Sequence, residues 1–251
     1  MNKLKFIALA LASVCTLSLS AQVTYKASYF GVKSDGSTLN TRSIQKAIDH
    51  ISEQGGGTLE FYVGRYLTGT LNLKSNVTIQ LHEGAVLVGV TFPYDYTAAG
   101  DTKAIICAEG QENIAVTGKG VIQGQGTLLL GNVQTQINKG NLKESVAQAS
   151  PALISLKNCS NVKIEGINLQ NPCGNVMVYS DCKDVTLSNL AVTSRQTANS
   201  QGVIFSGCTG FSMTDCYFDT TGDALASAGT STNVNISGCK TPNGKQLKAK
   251  K

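Results

Sequence analysis

Between Cys159 and Cys239 the chain writes one short phrase four times in the same register. Cys159-Ser-Asn-Val-Lys-Ile-Glu-Gly-Ile is followed by Cys182-Lys-Asp-Val-Thr-Leu-Ser-Asn-Leu, by Cys208-Thr-Gly-Phe-Ser-Met-Thr-Asp-Cys and by Ser231-Thr-Asn-Val-Asn-Ile-Ser-Gly-Cys. The first apolar residue of each copy (Val162, Val185, Phe211, Val234) recurs after 23, 26 and 23 residues. That spacing is too long for a hairpin meander and too short for strand–helix–strand units; it is the mark of a solenoid. Lys74-Ser-Asn-Val and Gln111-Glu-Asn-Ile carry the register back to Val77 and Ile114. Apolar and polar residues alternate within each copy, so each strand has one face to bury, and a single repeat cannot bury it alone. The expected fold is all-β, a right-handed parallel β-helix.

The residue just before each strand supports this. Asn76, Asn113, Asn161, Asp184, Gly210 and Asn233 are the residue types that tolerate a left-handed backbone at a sharp corner. Stacked asparagines there can hydrogen-bond amide to amide along the axis. Coils about 4.8 Å apart place Cys159, Cys182 and Cys208 in one column and Ile167, Leu190, Cys216 and Cys239 in another. Buried in such columns, the cysteines read as small core residues.

Residues 1–21 have the layout of a secretory signal: Lys3 and Lys5, an apolar run from Phe6 to Leu19, and a small-residue site at Ser20-Ala21. The expected location is periplasmic or secreted. A lipoprotein at Cys15 is the weaker reading, because Val14 is bulky for the position before a lipidated cysteine. Removing Cys15 from eight cysteines leaves an odd number, so at least one thiol stays unpaired. The formal charge of +5 includes the two leader lysines, and Lys245, Lys248, Lys250 and Lys251 crowd the end of the sequence. This is too mild and too terminal for a nucleic-acid surface, but it suits an acidic polysaccharide.

Residues 22–244 form one domain. Ile44, Ala47, Ile48 and Ile51 recur at helical spacing, so 41–54 is expected to be a helix covering the first coil, capped by Asn40 or Thr41 and ended by Gly55-Gly-Gly. Phe92-Pro-Tyr-Asp-Tyr is an aromatic loop. Residues 123–149 lack the repeat and are expected to be a long loop excursion forming one wall of a cleft. Beyond Cys239, Pro242-Asn-Gly and a lysine-rich tail over 245–251 are expected to leave an open strand edge that charge blunts.

Phe30-Gly-Val-Lys-Ser-Asp-Gly, Gly64-Arg-Tyr-Leu-Thr-Gly-Thr-Leu-Asn-Leu-Lys-Ser-Asn-Val-Thr, Leu81-His-Glu-Gly-Ala-Val-Leu and the run from Ala108 to Gly126 resemble the family 28 glycoside hydrolases, the polygalacturonases and rhamnogalacturonases of the pectin lyase-like superfamily. The resemblance implies inverting hydrolysis of pectic polysaccharide, with one carboxylic acid protonating the leaving oxygen and others activating water. It implies no cofactor and no metal. The family carries Asn-Thr-Asp on one coil and Gly-Asp-Asp on the next. Here these positions read Asn199-Ser200-Gln201 and Gly222-Asp223-Ala224.

Only Asp223 survives, in the place of the proton donor, and a neutral amide at Gln201 cannot act as a general base. The family's later histidine, arginine and lysine motifs have no counterpart; His50 falls in the N-terminal helix and His82 on an early strand. Asp215 and Asp219 are possible substitutes for the base, each expected at a coil corner where Asp is the default turn residue. Arg195, Asn199 and Gln201 are the candidate substrate-binding residues, beside the excursion. Two other readings remain open. One is a non-catalytic β-helix that binds polysaccharide or has a structural role. The other is a calcium-dependent lyase using Asp181, Asp184, Lys163 and Arg195, which lack calcium-ligand spacing.

Overall fold

The computed structural model describes residues 23–248. The expected leader over 1–21 lies outside these, as do residues 249–251 of the lysine-rich segment. Three parallel sheets make a β-helix, the complete coils between Gly57 and Ala228 contributing one strand to each sheet. The first runs through Thr24–Lys26, Gly57–Phe61, Val77–Leu81, Glu112–Gly118, Ser160–Glu165, Lys183–Ser188, Thr209–Thr214 and Thr232–Ser237. The second ends on Asn168–Gln170, Ala191–Ser194 and Tyr217–Thr220, the third on Met177–Ser180, Val203–Ser206 and Leu225–Ala228.

The repeat register read from sequence is the pairing register: Ile114 pairs with Val162, Val162 with Val185, Val185 with Phe211 and Phe211 with Val234. Inward residues at alternate positions are fully buried from Val77 through Phe211. Burial of each such side chain contributes roughly 1.5–3 kcal/mol.

All six Asx/Gly corner residues have positive φ, from 50° at Asn161 to 72° at Gly210. Asn113 Nδ2 donates to Asn76 Oδ1 at 2.9 Å, and Asn161 Nδ2 to Asn113 Oδ1 at 2.7 Å. At Gly210 the column needs a glycine twice over, because a Cβ would come within 2.6 Å of Asp184 Oδ1. A second corner repeats the device with Asn189 and Asp215, φ 54° and 53°. The seven described cysteines are free and buried. Cys159, Cys182 and Cys208 each donate to the carbonyl two residues back, at 3.3, 3.3 and 3.4 Å.

Helix α1 (Thr41–Glu53) packs against Gly57–Phe61, Leu71–Asn72 and Val77–Leu81, with Ile44, Ala47, Ile48 and Ile51 fully buried. Asn40 precedes it but does not cap it through its side chain. Its amide instead clasps the preceding turn, accepting from Lys33 N–H at 2.8 Å and donating to the Lys33 and Thr38 carbonyls, both at 2.9 Å. His82 lies just past its strand, stacked on Tyr62 with ring centroids 4.5 Å apart.

Two expectations are corrected. The 123–149 excursion is not a loop: it holds helix α2 (Gly126–Asn138) and a short helix α3 (Val146–Ala149). Leu129 and Val133, four apart, are the buried face of α2, while Leu128 points outward. The segment 245–248 is also not a free tail. The chain turns back through Thr241–Lys245, the Leu247 N–H donates to the Cys239 carbonyl at 2.9 Å, and Leu247 packs against the core.

Candidate functional site

From residue 124 onward each coil turns from the second sheet to the third through a corner of four or more residues, and the candidates Arg195, Asn199, Gln201 and Asp223 lie along this one seam. In successive coils the corners are 124–151, which carries α2 and α3, then 171–176, 195–202 and 221–224. Met177 pairs with Val203 and Val203 with Leu225, so Asn175, Gln201 and Asp223 stack as one column. Backbone bonds seal the stack: Val176 N–H to the Gln201 carbonyl and Gly202 N–H to the Asp223 carbonyl, both 2.9 Å. Gln201 N–H also donates to Asn175 Oδ1 at 3.1 Å.

α2 is locked against this seam by close backbone approach. A Cβ on Gly126 would collide with the Pro172 carbonyl, which makes glycine obligatory at the start of the helix. Thr197 and Ser200 are buried and tie the 195–202 corner down. Thr197 Oγ1 donates to the Pro172 carbonyl at 3.2 Å, and Ser200 Oγ to the Gly174 carbonyl at 2.8 Å.

Two cavities open along the seam. One, of about 710 Å³, lies between the excursion and the corners, with Asn199 and Gln201 on its wall. The other, of about 720 Å³, lies at the outermost described coil and is lined by Asp219, Asp223, Lys245 and Lys248 together with Phe205, Phe218 and Leu247. Asp223 is exposed, and among the described residues its carboxylate has no hydrogen-bond or ion-pair partner, so it does not cap backbone amides. The ammonium groups of Lys245 and Lys248 are likewise unpaired among the described residues.

Arg195 lines neither cavity. Its Nη1 lies 3.2 Å from Asp219 Oδ2 of the next coil. Asp219 is not at a corner: it sits inside the strand Tyr217–Thr220, paired with Thr193, whereas Asp215 does occupy a corner at φ 53°. Arg195 lies two residues past Thr193, the strand partner of Asp219, so the ion pair runs diagonally between neighbouring coils.

The residues nominated for calcium do not converge. Asp181 and Asp184 occupy coil corners, φ 53° and 51°, and Lys163 Nζ is 2.6 Å from Glu165. Among the described residues no group of three or more His, Cys, Asp or Glu is arranged to hold a metal ion. No described helix is long and apolar enough to cross a membrane.

Residues 56–247 match the family model for glycosyl hydrolases family 28. An exo-poly-alpha-D-galacturonosidase of Dickeya chrysanthemi is 24% identical over 85% of this chain and 43% of its own length. A candidate glycosyl hydrolase of Parabacteroides merdae superposes with a TM-score of 0.87 at 47% identity, covering 91% of this chain and 100% of that one. A family 28 exopolygalacturonase of Yersinia enterocolitica gives 0.79 at 25% identity, over 88% of this chain and 49% of its own. The chain thus spans less than half the length of the Dickeya and Yersinia proteins.

Proposed function

Since the chain belongs to family 28 of the glycosyl hydrolases, whose relatives act on polygalacturonate, we propose that it is a pectin-directed β-helix that binds acidic polysaccharide along the seam of long corners. The observation that carries this reading is the cavity at the outermost described coil, whose lining holds Lys245 and Lys248 together with the free carboxylate of Asp223. Two unpaired ammonium groups suit the carboxylates of a galacturonate chain, and Asp223 stands where a proton donor belongs. Gln201, one coil away, and Ala224, beside Asp223, occupy the positions of the water-activating carboxylates and offer no base. The reading is therefore recognition without efficient hydrolysis. Export through the N-terminal segment belongs to it, because polymeric pectin is met outside the cell.

Hydrolysis is the second reading, and one observation favours it: Asp219 lies in a strand, not a corner, and shares a cavity with Asp223. Arg195 Nη1, 3.2 Å from Asp219 Oδ2, fixes the orientation of that carboxylate. A reducing-sugar assay on polygalacturonate, run beside calorimetric titration with an oligogalacturonate, separates the two. Binding without sugar release supports recognition; sugar release lost in both Asp223→Asn and Asp219→Asn supports hydrolysis; absence of binding and of release overturns the pectin assignment.

A further inference from the structure

Five of the seven described cysteines stand in two columns of the core. Cys159, Cys182 and Cys208 form one; Cys216 and Cys239 continue the other beyond Ile167 and Leu190. The register of the second pair is fixed from both sides. Thr214 pairs with Ser237, Tyr217 bridges to Lys240, and the Lys240 N–H donates to the Cys216 carbonyl at 2.9 Å. Cys216 and Cys239 therefore stand side by side in consecutive coils, with the parallel backbones about 4.8 Å apart, inside the range of Cα separations that a disulfide spans. Both side chains are buried in the core. Each thiol lies on the carbonyl two residues back, Cys216 Sγ 3.3 Å from the Thr214 oxygen and Cys239 Sγ 3.2 Å from that of Ser237.

The two thiols are not equivalent. Cys216 donates to the Cys239 sulfur, which holds the Cys239 thiol below its ordinary value, at about 7, and drives that of Cys216 up. Cys239 is thus the readier nucleophile, because the thiolate is the form that attacks. Position separates this pair from the three-thiol column. Cys208, the outermost member of that column, is overlaid by the next coil: its N–H donates to Ser231 Oγ at 3.1 Å and its carbonyl accepts from the Thr232 N–H at 2.9 Å. Cys239 is overlaid instead by the turned-back segment 241–248, fastened to it by the Leu247 N–H at 2.9 Å. Lifting that segment uncovers Cys239 while the coils beneath stay stacked.

We propose that Cys216 and Cys239 form a modification site, a dithiol that a small-molecule disulfide oxidises to a cross-link between coils. The Cys239 sulfur attacks one sulfur of the external disulfide, breaking its S–S bond and releasing one thiol. Cys216, losing its proton, then attacks Cys239 Sγ in the mixed disulfide and releases the second. The protein gives up two electrons and two protons, and the external disulfide carries them away as two thiols. The ring so closed, residues 216–239, is one complete coil that contains Asp219, Asp223, Leu225–Ala228 and Thr232–Ser237. Oxidation thus fastens the outermost described coil to the one beneath it. The site does not depend on which ligand the seam takes.

Incubating the folded protein with oxidised glutathione, then unfolding it in an alkylating reagent and mapping the peptides by mass spectrometry, tests this. The expected product is one cross-link, Cys216 to Cys239, with the other five described cysteines alkylated. In the Cys216→Ser variant the reaction should stop with glutathione bound to Cys239. Amide exchange across 217–239 should slow about tenfold or more on oxidation of the wild type, and dithiothreitol should restore it. Absence of the cross-link, or a cross-link among Cys159, Cys182 and Cys208 in its place, overturns the site. Cys239 free of glutathione in Cys216→Ser overturns its role as the attacking sulfur, and exchange in 217–239 unchanged by cross-linking overturns the fastening of the coil.

Discussion

Asn161 donates its side-chain amide to Asn113 in the coil before it, at 2.7 Å, while both hold a left-handed backbone, φ 50° and 55°. The corner column thus does two jobs with one residue type: it tolerates positive φ and carries a hydrogen-bonded ladder. The two contributions can be separated. Asn113→Ala loses both and should cost about 1–3 kcal/mol, whereas Asn113→Gly relieves the backbone and should cost less. Urea unfolding of the two variants measures this; a glycine variant as destabilised as alanine would show that only the ladder matters.

Phe211 is fully buried, with Phe205 and Tyr179 ring centroids 4.7 and 5.7 Å away. Phe211→Ala should destabilise by roughly 3–5 kcal/mol, the range for removing a buried aromatic. A loss under 1 kcal/mol in chemical denaturation would mean that the neighbouring rings collapse into the space.

Burial pushes the Cys107 and Cys173 thiols up to about 11, from 9.0. Each folded thiol is harder to ionise than its unfolded counterpart. The stabilisation is therefore complete below about pH 9 and is lost as pH rises towards 11. Denaturation midpoints at pH 8.5 and 10.5 should differ more in the wild type than in a Cys107→Ala/Cys173→Ala variant. Equal differences would assign the alkaline loss to other groups.

If oligogalacturonate binds beside Lys245 and Lys248, its affinity should fall as salt rises, and Lys245→Ala/Lys248→Ala should flatten that dependence. Asp223→Asn removes a negative charge from the same cavity and should strengthen binding of the acidic ligand. Titrations at two ionic strengths check both signs; weaker binding by Asp223→Asn would mean instead that the carboxylate accepts hydrogen bonds from the ligand's hydroxyls.

The fold was legible because the repeat states it six times over: Val162, Val185, Phe211 and Val234 pair in the register that their spacing implies. The excursion was less so. Leu128, Leu129 and Leu130 read as an undifferentiated apolar run, although Leu129 and Val133 carry helical spacing. At the site, local turn preference suggested a corner for Asp219, but strand pairing with Thr193 overrode it. Lys245 and Lys248 were hidden differently. Nothing local announces that Leu247 folds back onto the core and brings them to the cavity that Asp223 lines.

A solenoid holds each coil only through its neighbours, and Asp223 belongs to the outermost described coil. Val234 and Ile236 on that coil are half-buried, where their counterparts Phe211 and Met213 are fully enclosed. Opening there disrupts fewer buried contacts than opening at Val162 or Val185, so this coil should show the fastest amide exchange of the stack. A ligand beside Asp223 would then brace this coil: its binding energy would be drawn partly from suppressing that opening, and occupancy of the site would register as slowed exchange in Leu225–Ala228 and Thr232–Ser237.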